Sequence, residues 1–231
     1  MATTTGKLDY LRVFKCPVPK ARFGKANDGG YIVAEMEGGY DLMISGGVSN
    51  DMSFEDSFLA QNPTLKAIAF DGTVEGMPHS HPRIIFFKKN LGLYNTEHIT
   101  NLKELIAPFD NIFLKMDIEG GENDLFSALN DFELTKFKQI VIEFHSAEQA
   151  IIPRRLSRTH WLVHFHPNNN EPIRLVHGIN VPNVFECTYI RKSNISVIPE
   201  ANTDPIPNPE IDMINNTLKP ELSVSGYPFT A

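Results

Sequence analysis

Acidic residues and histidines follow several short apolar runs, at points where strands of a sheet would end. The run 111–116 leads into Asp117 and Glu119, and another run ends at Glu143, close to His145. Because side chains alternate along an extended chain, Asp117 and Glu119 are expected on one side, as are Glu143 and His145. Buried carboxylates are costly unless they are paired or bind a cation. Oxygen ligands with one imidazole and no thiol favour Mg²⁺ or Mn²⁺, so Asp117, Glu143 and His145 are the candidate metal ligands.

The same cluster also permits chemistry without a metal. Lys115 is expected on the same side as Asp117 and could form an internal salt bridge with it. His145, or His166 at the end of a later run, could act as a general base toward a hydroxyl. Asp117, His145 and His166 are therefore the candidate catalytic residues, and the sequence leaves the metal and metal-free alternatives open.

A glycine turn follows the first core run and predicts a ligand site. Gly46 and Gly47 let the backbone bend sharply and approach a ligand, and Ser49 lies in the same turn. The next run ends at Asp71, followed by Gly72, and an acid roughly 20–25 positions after a glycine turn suits the ribose hydroxyls of a nucleoside. NAD also contains a ribose and would suit the glycine turn and Asp71 equally well. The full dinucleotide fingerprint is missing, which favours a ligand without pyrophosphate.

Alternating strands and helices are predicted to position these groups. Strands are expected at 40–44, 65–70, 83–87, 111–116, 139–144, 161–165 and 184–190, and helices at 53–61, 96–107, 122–129 and 147–159. Unbroken apolar runs are typical of parallel strands covered on both faces. The alternation predicts an α/β fold with a parallel sheet. Residues 168–170 belong to the polar residues expected beyond the sixth strand, and an ordinary turn is the alternative interpretation of this segment.

The bulk properties narrow the class of protein. A chain of 231 residues fits one α/β domain, and a net charge of -7 argues against a nucleic-acid partner. Two cysteines, no apolar N-terminal run and no run long enough to span a bilayer lead us to expect a cytoplasmic protein. Six prolines fall after position 198, so we divide the chain into a domain at 1–198 and a Pro-rich tail at 199–231 wrapped on it.

The ordered motifs resemble the FkbM-like family of S-adenosylmethionine-dependent methyltransferases over about residues 20–192. The matching segments are Asp28-Gly29-Gly30-Tyr31, Ser45-Gly46-Gly47-Val48-Ser49-Asn50-Asp51, Ser53-Phe54-Glu55, Phe70-Asp71, Lys115-Met116-Asp117-Ile118-Glu119-Gly120, Glu122, Glu143-Phe144-His145, His166-Pro167-Asn168-Asn169 and Pro182-Asn183-Val184-Phe185-Glu186-Cys187-Thr188-Tyr189. One departure is that Gly46 and Gly47 are adjacent, whereas the family usually places another residue before the second glycine.

The resemblance implies a Rossmann-like class I methyltransferase fold, with seven mostly parallel strands, an antiparallel last strand and helices on both faces. It also implies methyl transfer from S-adenosyl-L-methionine to a hydroxyl, often on a sugar or a polyketide-like product. The implied cofactor-binding residues are Gly46, Gly47, Ser49, Glu55, Asp71 and Gly72. Glu186, which enters the reversed strand, is implied to lie on the same edge as Asp117 and Glu143.

Two other function classes compete with this interpretation. An NAD-dependent oxidoreductase or epimerase would use the same sheet, but it should carry a fuller glycine fingerprint and an acid–base pair such as Tyr-x-x-x-Lys. A non-catalytic glycan-binding module could also keep the fold. Such a module has no need of dense acids at the strand ends, so the sequence favours the methyltransferase.

Overall fold

The computed structural model describes residues 6–231 and has a seven-stranded sheet at its centre. The strands are β1 (Lys20–Gly24), β2 (Gly30–Ala34), β3 (Leu42–Gly46), β4 (Ala67–Phe70), β5 (Ile84–Phe87), β6 (Asn90–Leu91), β7 (Ile99–Thr100), β8 (Ile112–Met116), β9 (Phe137–Phe144), β10 (His160–Val176) and β11 (Ile179–Arg191). The α-helices are α1 (Ser53–Gln61), α2 (Lys103–Ile106), α3 (Glu122–Ala128), α4 (Asp131–Leu134) and α5 (Ile151–Thr159).

The strand order of the central sheet is β10-β11-β9-β8-β3-β4-β5. Strands β3, β4, β5, β8 and β9 are parallel, and β11 runs antiparallel to both of its neighbours, β9 and β10. The last strand in sequence, β11, therefore lies between β9 and β10 and runs in the opposite direction to both. This topology confirms the predicted Rossmann-like class I methyltransferase fold.

Apolar side chains on both faces of the central strands explain why the sheet is buried. All residues of β3, β8 and β9 are buried. Met43 and Phe113 pack in a cluster with α1 on one face, whereas Ile44 and Leu114 pack with α3 and α5 on the other. Because successive strand residues point to opposite faces, an unbroken apolar run provides both layers of the core.

The helix predicted at 96–107 is wrong in most of its length. Residues Ile99–Thr100 pair with β6, and only Lys103–Ile106 is helical. Leu102 has a left-handed φ of 63°, which an α-helix does not accommodate. The side chains of Thr100 and Asn101 accept hydrogen bonds from the nearby backbone amides of Leu102 and Lys103. Such local bonds compete with helix formation and delay the helix start.

The alternative of a turn at 168–170 is not formed, because these residues lie inside the long strand β10. The chain reverses instead at His177 and Gly178, which have φ values of 50° and 83° and form the tight connection to β11. A register shift between Asn168 and Ile173 interrupts the ladder. The sixth and seventh strands are therefore longer than predicted, and they extend beyond the rest of the sheet.

The N-terminal hairpin of β1 and β2 was not predicted from the sequence. Lys20 pairs with Ala34 at one end of the hairpin, and Gly24 pairs with Gly30 at the other. Phe23, Tyr31 and Val33 pack in the same hydrophobic cluster as α1. The hairpin therefore covers one side of the sheet near the ends of β3 and β8.

Residues 199–231 contain no helix or strand beyond isolated bridges, yet they are partly buried. Ile206, Val224 and Phe229 belong to the main hydrophobic cluster. The separation of 1–198 from 199–231 as distinct units stays a prediction. Within residues 6–231, no helix combines the length and apolar character that crossing a membrane requires.

One buried pair tethers the tail to β10, and it can be tested by Asp212→Ala. His164 Nε2 lies 2.9 Å from Asp212 Oδ1, and both side chains are at most 5% exposed. Burial dominates and lowers the pKa of His164, so the neutral ring donates to Asp212. Removing the acceptor strands a buried donor, and we expect a loss of about 1.5–3 kcal/mol in unfolding free energy, measured with denaturant.

The matched control is Asp204→Ala, an exposed acid in the same tail, which should change stability by less than about 0.5 kcal/mol. Equal stability of the Asp212→Ala variant and the unaltered chain would show that this pair does not hold the tail.

Candidate functional site

The glycine turn after β3 lies against the backbone at the end of β8. Gly47 has a φ of +76°, and a Cβ added there would lie 1.7 Å from the carbonyl oxygen of Asp117. Only glycine permits this approach. The ammonium group of Lys115 donates a hydrogen bond of 2.7 Å to the carbonyl oxygen of Gly47. Among residues 6–231, no salt bridge joins Lys115 to Asp117, so the alternative of an internal pair is not formed.

Asp71 joins the same turn to the end of β4. Its Oδ2 accepts a hydrogen bond of 2.8 Å from the backbone N–H of Ser49, and its Oδ1 accepts bonds of 2.8 and 2.6 Å from the amide and hydroxyl of Thr73. Burial alone would raise the pKa of Asp71, but these hydrogen bonds outweigh it and lower the pKa. Asp71 is therefore ionised at neutral pH. Gly72 follows it, and a Cβ there would lie 2.3 Å from Asn90 Oδ1.

Two cavities meet at this turn, and both are lined by Gly47, Asp117 and Glu119. The first has a volume of about 150 Å³ and extends toward the end of β4. It is lined further by Phe70, Asp71, Thr73, Lys89, Asn90, Leu91, Ile118 and Gly121. The second, of about 200 Å³, extends toward the β1–β2 hairpin. It is lined further by Lys25, Asp28, Gly29, Tyr31, Val48, Ser49, Asn50, Asp51, Phe54, Glu55 and Lys115.

Glu55 lies in the first turn of α1 and is 1% exposed. Its Oε1 accepts a short hydrogen bond from the hydroxyl of Ser45, which precedes the glycine turn. The Glu55 carboxylate therefore fixes α1 against the end of β3, and the residue also lines the second cavity.

Asp117, Glu143 and His145 converge at the ends of β8 and β9. One ligand atom from each of the three lies within 4.8 Å of the others. His145 Nε2 is 3.5 Å from Asp117 Oδ1, 3.9 Å from Glu143 Oε1 and 3.4 Å from Glu119 Oε2. His145 Nδ1 lies 3.1 Å from Glu122 Oε1. A carboxylate on one ring nitrogen fixes the orientation of the other, as is common for histidines that bind metals.

The cluster is rich in negative charge that the described residues only partly compensate. Burial, together with the charges of Asp117 and Glu186, raises the pKa of Glu143 well above its ordinary value. Burial alone would lower the pKa of His145, but its hydrogen bond to Glu122 and the nearby carboxylates raise it. Asp117 Oδ1 is buried and has no hydrogen-bond partner among residues 6–231. These groups fit a divalent cation, which would satisfy that oxygen and the excess charge.

His166 occupies a different position from the other candidate catalytic residues. It is fully buried, and its Nδ1 lies 3.3 Å from Glu186 Oε2 on β11. Neither His166 nor His145 lines the two cavities, but His145 contacts Asp117 and His166 does not. Asn215 of the tail donates a 2.7 Å hydrogen bond to Glu186 Oε1. The structure therefore brings Asp117 and His145 together and places His166 further along the sheet.

Two polar residues of the site were missed in the sequence. The hydroxyl of Tyr31 donates to Asp117 Oδ2 at 2.7 Å, and Asn168 Nδ2 donates to Glu143 Oε1 at 2.9 Å. For Asn168 a signal was present: His164, His166 and Asn168 alternate at the spacing of one strand face, which argues against a turn. For Tyr31 the only signal in the sequence was its place in the segment Asp28-Gly29-Gly30-Tyr31, which indicates no role for the hydroxyl.

Comparisons with known proteins add little to this geometry. No protein-family model and no curated protein matches the chain. A solved structure from Thermoplasma acidophilum, described as a "putative methyltransferase", is 12% identical, with 68% of this chain and 70% of that chain covered and a TM-score of 0.36. Similarity at this level carries no argument, so the fold assignment depends on the strand order itself.

The contact between the glycine turn and β8 can be tested with Gly47→Ala. The new methyl group would clash with a backbone oxygen, and the left-handed φ adds strain. We expect a loss of about 3–5 kcal/mol in unfolding free energy, measured with denaturant. The matched control is Gly120→Ala, which has a φ of +98° but no atom within 4 Å of the added Cβ. It should lose only about 1–2 kcal/mol. Equal losses would mean that conformation alone, and not close approach, requires Gly47.

Proposed function

We propose that this chain is an S-adenosylmethionine-dependent O-methyltransferase that acts on a hydroxyl of a sugar, a glycan or a related small molecule, assisted by Mg²⁺ or Mn²⁺. The observation that carries the proposal is the shared wall of the two cavities. Gly47 and Asp117 form that wall, so a cofactor that spans the glycine turn would lie beside Asp117, the member of the cluster with Glu143 and His145 that borders both cavities. Chemistry on a second molecule needs this arrangement.

The two cavities suit the two ends of the cofactor. The nucleoside would occupy the first, with its ribose at Asp71, and the amino-acid end would extend past Gly47 and Ser49 toward the second. Gly72, the other residue expected at the ribose, lines neither cavity. A carboxylate offers about four lone-pair sites, and three hydrogen bonds to Asp71 are already made within the protein. The remaining capacity, on Oδ2, suits one ribose hydroxyl.

S-adenosylmethionine supplies a methyl group on a positive sulfur, and a divalent cation supplies a positive charge that lowers the pKa of a hydroxyl. The chain's own residues would hold and orient the participants. Asp117, Glu143 and His145 would hold the cation. Asp117 Oδ1 is one of the buried oxygens that have no hydrogen-bond partner among residues 6–231. Glu122 fixes the ring of His145 through Nδ1, so that Nε2 faces the carboxylates.

Without a cation, His145 is the base that the geometry favours. Its side chain is 17% exposed, whereas His166 is fully buried beside Glu186. A proton taken by His145 Nε2 would be stabilised by Asp117 and Glu119, which lie at 3.5 and 3.4 Å. The metal-assisted and base-catalysed forms of the reaction thus use the same ring nitrogen.

The charge around the cluster supports a neutral acceptor rich in hydroxyl groups. Glu119 is largely exposed at the junction of the two cavities, and the chain carries a net charge of -7. Carboxylates accept hydrogen bonds from hydroxyls but repel phosphates. A sugar or glycan suits this environment, and a nucleic acid does not.

The cofactor assignment is tested by a thermodynamic cycle between Asp71→Ala and the ribose hydroxyls. Calorimetry would compare S-adenosylhomocysteine with its 2′,3′-dideoxy analogue on both proteins. Loss of the hydroxyls should weaken binding to the unaltered chain and not to Asp71→Ala, with a coupling of about 1–3 kcal/mol. The cycle separates this contact from the loss of the Ser49 hydrogen bond, which affects both ligands.

Asp51→Ala is the matched control, because Asp51 is another carboxylate of the glycine turn but pairs with Lys25 at 2.8 Å. It should show no coupling to the ribose hydroxyls. Zero coupling at Asp71 would make the ribose assignment wrong. Binding of NAD in place of S-adenosylhomocysteine would overturn the methyltransferase proposal.

The metal requirement is tested by chelation. With labelled methyl donor and a panel of free sugars and glycans, excess chelator should abolish transfer, and Mg²⁺ or Mn²⁺ should restore it. Asp117→Asn should need a higher ion concentration, because the amide lacks the charge that attracts the cation. Asp124→Asn, an exposed acid on α3, is the control and should behave as the unaltered chain. Full transfer in excess chelator, abolished by His145→Ala, would establish the metal-free reaction instead.

A further inference from the structure

We infer that Tyr31 is a positioning residue that orients Asp117 and Glu143 for cation binding, an inference that rests on the metal site of the proposed function. Tyr31 lies on β2, outside the central sheet, and is 2% exposed. Its hydroxyl faces Asp117 Oδ2 and Glu143 Oε2, whereas His145 faces the other oxygen of each acid. No hydroxyl is needed at this place for apolar packing, since a phenyl ring would fill the same volume.

The phenol decides which oxygen of Asp117 faces the cluster. Its hydroxyl donates to Asp117 Oδ2 at 2.7 Å. Oδ1 of the same carboxylate then faces His145 Nε2 at 3.5 Å, and this buried oxygen has no hydrogen-bond partner among the described residues. One oxygen is therefore held by a neutral donor, while the other remains for a ligand. This division is expected of a carboxylate that binds a metal through one oxygen.

Both oxygens of Glu143 have polar neighbours, but the stronger donor is Asn168 and not Tyr31. Asn168 donates to its Oε1 at 2.9 Å, and the Tyr31 hydroxyl lies 3.4 Å from its Oε2. The phenol has a single proton, and the shorter distance assigns it to Asp117. The Tyr31 oxygen nevertheless stays within 3.4 Å of Glu143 Oε2 and so fixes the position of that carboxylate relative to Asp117. Tyr31 thus links the ends of β8 and β9, which carry the two acids.

The hydrogen-bond geometry makes Tyr31 a donor to Asp117. Its hydroxyl lies 2.7 Å from Asp117 Oδ2 and 3.4 Å from Glu143 Oε2, and its side chain is buried.

The aromatic ring of Tyr31 also packs against residues that line the second cavity. It contacts Phe54 of α1 edge to face, with centroids 5.7 Å apart, and the ammonium group of Lys115 lies 5.4 Å from the centre of the Tyr31 ring. The same ammonium group donates to the carbonyl oxygen of Gly47. The ring position is therefore fixed by packing that does not involve the hydroxyl, and Tyr31→Phe removes only the donor.

The experiment measures Mn²⁺ binding to the full chain by calorimetry and by electron paramagnetic resonance, with no acceptor or cofactor present. Tyr31→Phe should weaken Mn²⁺ binding by about 10-fold or more, the range expected for loss of a hydrogen bond to a metal-binding side chain. Tyr40→Phe is the matched control: Tyr40 belongs to the same aromatic cluster, and its hydroxyl accepts from Gln139 far from the acids. It should bind Mn²⁺ as the unaltered chain does, within about twofold.

The outcomes separate this inference from the proposed function. Unchanged Mn²⁺ affinity in Tyr31→Phe, with binding by the unaltered chain, would overturn the inference and leave the metal site standing. An unaltered chain that binds no Mn²⁺ at millimolar concentration would remove the metal site and the inference together, while the cofactor test decides the methyltransferase proposal on its own. A Tyr31→Phe variant that fails to fold would show a structural hydroxyl and would likewise overturn the inference.

Discussion

The absence of a side chain at Gly47 is the constraint on which the site depends. Because no Cβ intervenes, the turn after β3 lies directly against the carbonyl of Asp117 at the end of β8. The same residues thereby become one wall between two cavities. Asp71 fixes this turn from one side through the amide of Ser49, and Lys115 fixes it from the other through the carbonyl of Gly47. A larger residue at position 47 would separate the ligand turn from the acids.

Excess negative charge is the second organising feature, and the sheet register explains it. Glu186 and Glu143 are directly opposed on β11 and β9, and Asp117 follows the adjacent strand β8. Neutral donors compensate part of this charge: Tyr31 for Asp117 and Asn168 for Glu143. Neutral donors satisfy lone pairs without cancelling charge, so a cation or bound protons must balance the remainder. Burial first, and then the charges of Asp117 and Glu186, raise the pKa of Glu143 well above its ordinary value.

The parts of the site that come from strand ends could be predicted from the sequence. Parallel strands bring their carboxyl ends to one edge, so Asp117 and the pair of Glu143 and His145 had to meet there. Tyr31 could not be placed in this way, because it is 86 residues from Asp117 and belongs to a hairpin with weak local signals. A turn was an alternative for Asn168 because asparagines favour turns, and the ladder with β11 overrode that preference. The prediction of a helix at 96–107 was wrong for a comparable reason, since hydrogen bonds from the side chains of Thr100 and Asn101 to nearby amides compete with helix formation.

The tail affects the acid cluster even though it lies outside the alternating strands and helices. Asn27, beside the β1–β2 turn, donates to the carbonyl of Ile214 at 2.8 Å, and Asn169 on β10 exchanges hydrogen bonds with the backbone of Asn216. Asn215, between these contacts, donates a 2.7 Å hydrogen bond to Oε1 of the buried Glu186. Charges repel more strongly when water is excluded, so burial of Glu186 strengthens its repulsion of Glu143. Through Asn215 the tail stabilises Glu186 as a carboxylate, so it helps to maintain the negative charge that a cation at Asp117 and Glu143 would balance.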